Sequence, residues 1–263
     1  MSAPPPAAAS AGERTSVYTG DQDGLGHVRK LVRCRERPLH ATGDSSSDSG
    51  GEETYIKLAA IGEAAVGKTS LLKRFLYDTF DAKRVQTEGV DCRSLWLKSN
   101  HPSYDRRTHL TLVDTAGQER YQAVVPMMFT GAQGIFLVFD ATNEHSYERV
   151  CEYWLNMVMQ RNPTCVRMLV ATKCDLYDAL PSARRWMDAL DMDEQARLLG
   201  CAGGYHAVSA KLGTHINAMV VQMVDMAIDQ EQELMRANLA PAGGTINISA
   251  RNNYTDNSKN CSC

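Results

Sequence analysis

Tyr55-Ile-Lys-Leu-Ala-Ala-Ile61, Gly62-Glu-Ala-Ala-Val-Gly67-Lys68-Thr69 and Ser70-Leu-Leu-Lys-Arg-Phe75-Leu76 follow one another without a gap. The first is a strand-like apolar run, the second fits G-x-x-x-x-G-K-S/T, and the third has helical spacing at Leu71, Leu72, Phe75 and Leu76. A triphosphate carries several negative charges that must be met without bulk. Gly62 and Gly67 let backbone N–H groups close around it, with Ala65 and Val66 between them and the positive helix end behind. Lys68 supplies a cation to the β and γ phosphates, the Thr69 hydroxyl is placed for Mg²⁺, and Ser70 follows as a further phosphate contact.

Such a cradle serves ATP or GTP, so the base must be read elsewhere. The apolar run Met168-Leu-Val-Ala171 ends in Thr172-Lys173-Cys174-Asp175. A carboxylate at that strand end can accept from both N1–H and the exocyclic amine of guanine, donors that adenine does not present together. Asp175 therefore selects GTP, and Lys173 can lie along base and ribose through its aliphatic stem. Tyr205-His-Ala-Val-Ser209-Ala210-Lys211 supplies a second strand end, with the Ala210 N–H aimed at the guanine oxygen. Between these motifs, Leu110-Thr-Leu-Val113 runs into Asp114-Thr115-Ala116-Gly117-Gln118-Glu119-Arg120. There Asp114 can hold the magnesium through a water, the Gly117 N–H can sense the γ-phosphate, and Gln118 can orient the attacking water.

Outward from these motifs the 263-residue chain is uneven. Residues 1–53 hold Pro4, Pro5 and Pro6, an alanine run and Ser45-Ser-Ser-Asp-Ser49-Gly-Gly51, which bury too little apolar surface to offset chain entropy. A disordered extension is expected there, with Leu31-Val-Arg-Cys-Arg35 as the one patch able to order on a partner. Residues 54–239 alternate apolar runs with helical patterns, which defines one α/β domain. Residues 240–263 turn polar and are expected to form a flexible tail ending in Cys261-Ser262-Cys263. No apolar run approaches the roughly 18 residues of a membrane span, and no secretory signal pattern opens the chain. A net charge of −3 gives no general attraction to nucleic acid, and the scattered cysteines lack metal-ligand spacing.

With GEAAVGKTSLL, TEGVDC, DTAGQERY, TKCDL and SAK in this order, the chain resembles the Rab family of small GTPases over roughly residues 55–239. The resemblance implies a Ras-like fold, a six-stranded mainly parallel sheet flanked by helices, with the site at the carboxyl ends of the strands. It implies GTP/GDP and Mg²⁺ as cofactors, and Thr87 as the switch threonine that joins the metal shell only with GTP. Implied partners are a guanine nucleotide exchange factor, a GTPase-activating protein, effectors, a GDP-dissociation inhibitor and the prenylation machinery. The implied place is the cytoplasmic face of an intracellular membrane, cycling with the cytosol, in vesicle trafficking. Cys261 and Cys263 resemble the signal for two geranylgeranyl groups; two chains anchor stably where one does not. Only Arg251 and Lys259 are basic in the tail, so lipid rather than charge is expected to hold the membrane.

Departures from that pattern sharpen the expectations. Thr172 stands where most Rabs have asparagine, which should loosen the tie between base loop and phosphate loop. Glu88 stands where isoleucine is usual, and the three aromatic effector-facing positions appear as Cys92, Val113 and Met128. Ala64 and Ala65 crowd the γ-phosphate region, so the competing reading is a weakly hydrolysing, largely GTP-bound scaffold; intact Gln118 argues against it. Ser99–Thr108 is expected to lengthen a hairpin turn, and Ala183–Leu190 to add a helical turn.

Overall fold

The computed structural model describes residues 17–19, 30–34, 53–82, 90–98, 107–115 and 125–239. Strands β1 (Val17–Thr19), β2 (Lys30–Cys34), β3 (Glu53–Ile61), β4 (Val90–Lys98), β5 (Arg107–Thr115), β6 (Gly134–Asp140), β7 (Val166–Thr172) and β8 (Tyr205–Ala207) form one sheet in the order β1-β2-β4-β5-β3-β6-β7-β8. β5, β3, β6, β7 and β8 are mutually parallel, and β4 runs antiparallel to β5. These six strands are the mainly parallel sheet that the motifs imply. β1 and β2 extend it to eight by antiparallel pairing on the open edge of β4. They come from the stretch that composition places outside the folded domain. Of the Leu31–Arg35 patch, Leu31 to Cys34 lie in β2 on the chain's own sheet, whose edge offers unpaired backbone groups to any adjacent strand.

The helices are α1 (Lys68–Tyr77), α2 (Val125–Phe129), α3 (Glu144–Arg149), α4 (Leu155–Arg161), α5 (Cys174–Asp178), α6 (Met192–Leu198) and α7 (Ile216–Leu239), with a π-helical segment Val150–Trp154 joining α3 to α4. Period-two alternation in the strands sends side chains to opposite faces. Ile56, Leu58, Leu95, Leu97, Leu110, Leu112, Phe136, Val138, Met168 and Val170 meet α1 and α7 on one face, face A. Ala59, Ile61, Val113, Ile135, Leu137, Phe139, Leu169 and Ala171 meet Phe129, Trp154, Val158, Met192 and Ala196 on the other, face B. β6 is buried along its whole length, as a central parallel strand covered on both sides must be. The methionine stripe Met219 and Met223 on α7 is fully buried against face A and serves packing.

The helical turn expected at Ala183–Leu190 is present as two short 3-10 helices, Ser182–Arg184 and Trp186–Ala189. They are pinned inward: Trp186 Nε1 donates to the Ala141 carbonyl at 2.8 Å and the Tyr177 hydroxyl accepts from the Met187 N–H at 2.8 Å. Arg107 and Thr108 belong to β5, so only residues 99–106 of the expected hairpin turn lie outside the described residues. Phe136 is fully buried at the centre of face A. Phe136→Ala should cost about 3–5 kcal/mol, read as a lower denaturant midpoint with unchanged slope. A loss below about 1 kcal/mol would contradict this placement of the core.

Candidate functional site

The carboxyl ends of β3, β5, β6 and β7 meet at one edge, and the phosphate-loop motif fills the first of them. Gly62 has φ 149°, and a Cβ there would lie 2.1 Å from the Val138 carbonyl oxygen, so no other residue fits. Gly67 has φ 105° and caps α1 with no side-chain hydrogen bond. The first-turn N–H groups of α1 are thereby left to an anion. Ala65 takes φ 60°, a left-handed conformation that costs an L-residue about 1 kcal/mol.

Four carbonyls of this loop accept hydrogen bonds from side chains. Lys68 Nζ donates to the carbonyls of Gly62 (2.9 Å) and Glu63 (2.7 Å). Lys173 Nζ donates to the Ala65 carbonyl at 2.8 Å. The Thr172 hydroxyl lies between the carbonyls of Val66 and Phe139, and can donate to either. In a trans peptide the N–H and C=O point in opposite directions, so fixing these carbonyls also fixes the orientation of the N–H groups that follow them. Thr172 therefore keeps the link between base loop and phosphate loop, contrary to the loosening expected for the loss of asparagine; a hydroxyl reaches the carbonyl that an amide would otherwise meet.

The base-binding motifs converge in the same way. Ser209 Oγ donates to Asp175 Oδ1 at 2.7 Å, and Lys211 Nζ lies 4.0 Å from Oδ2, which fixes the carboxylate at the ends of β7 and β8. Ala210 sits between these two and is tied by its carbonyl to Arg74 Nε of α1 at 2.7 Å, with Arg74 also donating to the Lys211 carbonyl at 2.9 Å. Lys173 is held from its far side by Asp140 Oδ2 at 2.5 Å. Ser70 lies half-buried in the first turn of α1.

Asp114 ends β5 beside the cradle, where Thr69 Oγ1 donates to its Oδ2 at 2.5 Å. Its Oδ1 is buried with no hydrogen-bond partner among the described residues. Burial raises the carboxyl pKa, against the opposing effects of the Thr69 bond and the Lys68 charge. A buried carboxylate oxygen with spare lone pairs next to a hydroxyl is the donor set of a hard divalent cation. These residues fit the magnesium that the motifs imply. Thr87, Gly117 and Gln118 lie outside the described residues, as do Cys261 and Cys263.

Several site-building residues escaped the motif reading. Glu63 Oε1 accepts from Arg149 Nε (3.1 Å) and Trp154 Nε1 (3.0 Å), which ties the phosphate loop to the π-helical segment on face B. Nothing local in the sequence marks Arg149 or Trp154. Asp140 had a signal: it is a carboxylate closing the apolar run Gly134–Phe139, the same pattern that singled out Asp114. Of the three positions expected to present effector-facing side chains, Cys92 is exposed and Met128 packs partly against the face B core. Val113 is buried at 1% exposure and belongs to the core, not to the surface.

The family model that matches, over residues 57–229, is that of the Ras family, and the chain belongs to that family of small GTPases. Within it the chain is similar to Rab proteins. A Ras-related protein Rab-18 of Caenorhabditis briggsae is 38% identical over 135 residues, half of this chain and 63% of that relative. A Rab-10 of Caenorhabditis elegans is 29% identical over 191 residues, covering 69% of this chain and 89% of the relative. A human Rab-8B is 29% identical over 194 residues, covering 73% and 88%. Thus the chain spans less than two thirds of the Rab-18 relative but nearly the whole of Rab-10 and Rab-8B.

Burial lowers the Lys68 ammonium pKa to about 8, against the pull of Asp114 and Glu63. In the nucleotide-free protein Lys68 is charged below pH 8 and neutral above it, whereas bound phosphates keep it charged. Affinity for nucleotide should therefore fall as pH rises above about 8, with uptake of up to about one proton per nucleotide bound. Calorimetric titration in buffers of different ionisation enthalpy measures this. An affinity flat from pH 7 to 9.5 with no proton uptake would contradict it.

Proposed function

We propose that this chain is a guanine-nucleotide switch that binds GTP with magnesium, hydrolyses it slowly, and recruits effectors while GTP is bound. The observation that carries the reading is Asp175, fixed by Ser209 and Lys211 across the same strand ends that form the phosphate cradle. The loop's N–H groups and the α1 N-terminus bind the phosphates, and Lys68 moves its donors from the Gly62 and Glu63 carbonyls to the β and γ oxygens. Asp175 accepts the two guanine donors, the Ala210 N–H meets the guanine oxygen, and Lys173 lies over base and ribose.

Thr69 and Asp114, joined by Thr87 in the GTP state, would hold magnesium. When bound it supplies positive charge against the β and γ phosphates and fixes their orientation. Gln118 orients the attacking water, and the Gly117 N–H reports whether the γ-phosphate is present. Little covalent chemistry is asked of the protein, so positioning and electrostatics carry the rate. Loss of the γ-phosphate releases the Thr87 and Gly117 contacts, which is the difference an effector reads.

The reading extends to place and partners. The likeness to Rab proteins supports effectors, an exchange factor and an activating protein as partners, and the proposal extends to a GDP-dissociation inhibitor and the prenylation machinery. Among the described residues no helix is long and apolar enough to cross a membrane. The proposed attachment to an intracellular membrane is through prenyl groups on Cys261 and Cys263, in vesicle trafficking. Mass spectrometry of the C-terminal peptide isolated from cells reads that modification directly.

Asp175→Asn should weaken guanine nucleotide binding by about 2–4 kcal/mol, ~30- to ~1,000-fold, because a charge-assisted pair of hydrogen bonds is replaced by a mismatched amide. The check is competition in a nucleotide exchange assay, where ATP displacing GDP as well as GTP does would refute the base assignment.

Gln118→Leu should leave nucleotide affinity unchanged and slow single-turnover hydrolysis by at least about tenfold, since that side chain acts on the water and not on the bound ground state. Hydrolysis at the parent rate would remove Gln118 from the mechanism.

A further inference from the structure

Arg74 stands in the last turn of α1, the helix that begins at Lys68 and Thr69 beside the phosphate cradle. Its side chain is 17% exposed, and all three guanidinium nitrogens donate. Nη1 meets the Asp78 carbonyl at 2.9 Å and Asp78 Oδ1 at 3.1 Å. Those two bonds close the end of the helix, where carbonyls lack intrahelical partners. The other two leave the helix altogether: Nε meets the Ala210 carbonyl at 2.7 Å and Nη2 the Lys211 carbonyl at 2.9 Å, 136 and 137 positions away in sequence. Capping does not account for them.

The turn that receives these bonds keeps its own shape. The Ser209 carbonyl accepts from the N–H groups of Gly213 and Thr214 at 2.8 and 3.1 Å, and Ser209 Oγ accepts from the Leu212 N–H at 3.1 Å. One peptide plane carries the Ser209 carbonyl together with the Ala210 N–H, so holding the first orients the second. The next two planes carry the Ala210 and Lys211 carbonyls, and among the described residues no backbone N–H meets either. Arg74 holds both.

What the turn cannot set from within is its place relative to the phosphate cradle. Two ties set it: Ser209 Oγ on Asp175 Oδ1 at 2.7 Å, at the end of β7, and Arg74, from α1. A guanidinium is planar with its donors in fixed directions, so one side chain grips two successive carbonyls in a single geometry; an ammonium on a flexible stem does not. Through Arg74 the helix that begins at the cradle and the turn that carries the Ala210 N–H move as one body.

We propose that Arg74 is a positioning residue for recognition of the guanine 6-oxo group, holding the turn where the Ala210 N–H can donate to that oxygen. The inference rests on the proposed base assignment and divides the labour within it. Asp175 reads the donors at N1 and the 2-amino group, and Arg74 acts through the turn on the 6-oxo acceptor.

The test uses full-length protein, the parent and the variants Arg74→Lys and Arg74→Met, with three nucleotides. GDP has both groups, inosine diphosphate keeps the 6-oxo group and lacks the 2-amino group, and 2-aminopurine riboside diphosphate keeps the 2-amino group and lacks the 6-oxo group. Competition against labelled GDP gives each affinity, and each nucleotide is compared with itself between variant and parent. Both variants should lose about five- to tenfold for GDP and for inosine diphosphate, the order of one hydrogen bond, and less than about twofold for the third nucleotide. A thermal melt of each variant reports folding, and Arg74→Lys, which keeps the charge and the stem, carries the test if Arg74→Met does not fold. Equal losses for all three nucleotides would make Arg74 a support of the fold alone and overturn the proposal, as would an unchanged affinity for GDP in both variants. A parent that binds 2-aminopurine riboside diphosphate as tightly as GDP would instead refute the base assignment itself, and the proposal with it.

Discussion

The hydrogen bonds that side chains donate to the carbonyls of the phosphate loop are the constraint on which the rest of the molecule depends. Gly62, Glu63, Ala65 and Val66 each give a carbonyl to a side chain, and the donors come from α1 and from the end of β7. An isolated loop of this composition would keep no such shape, because each ordered residue loses about 1–2 kcal/mol of conformational entropy. The parallel sheet supplies the missing order. It stacks the ends of β3, β5, β6 and β7 side by side, so residues far apart in sequence act on the five consecutive positions Gly62 to Val66. Arg74 and Glu63 complete the frame, the first tying α1 to the Ser209–Lys211 turn and the second tying the loop to Arg149 and Trp154.

Two groups in this frame sit at an electrostatic disadvantage that a ligand would remove. Lys68 is buried with its pKa pushed down to about 8, and Asp114 is buried with its pKa raised and one oxygen without a partner among the described residues. Buried polar groups are ordinarily satisfied, so such an exception calls for an explanation. Phosphates beside Lys68 and a divalent cation beside Asp114 would each favour the charged form against burial. A magnesium-bound nucleotide, as proposed, would meet both of these charges.

The sequence made the central chemistry legible because those motifs are contiguous. Gly62 to Thr69, Thr172 to Asp175 and Ser209 to Lys211 each place their groups within one turn at a strand end, so spacing alone conveys geometry. Parallel strands buried on both faces read as plain apolar runs, and so the six-stranded core was legible too. What was not legible depends on contacts across the fold. The Thr172 hydroxyl replaces an amide because Val66 happens to lie within its reach, 106 positions away. Glu63 meets Arg149 and Trp154 across 86 and 91 positions of sequence. Val113 looks like a surface position by motif alignment, yet the packing of Phe129 and the neighbouring strands buries it. The pairing of β2 with β4 rests on an open edge that composition cannot show.

The account's central claim, that this frame is built for guanine nucleotide, is tested most directly by the nucleotide that the protein carries out of the cell. Full-length protein purified gently in the presence of magnesium, then denatured and its released small molecules separated by chromatography, should yield GDP or GTP at close to one equivalent per chain. Adenine nucleotide in that amount, or no nucleotide from folded protein that also fails to take up added GDP, would contradict the claim.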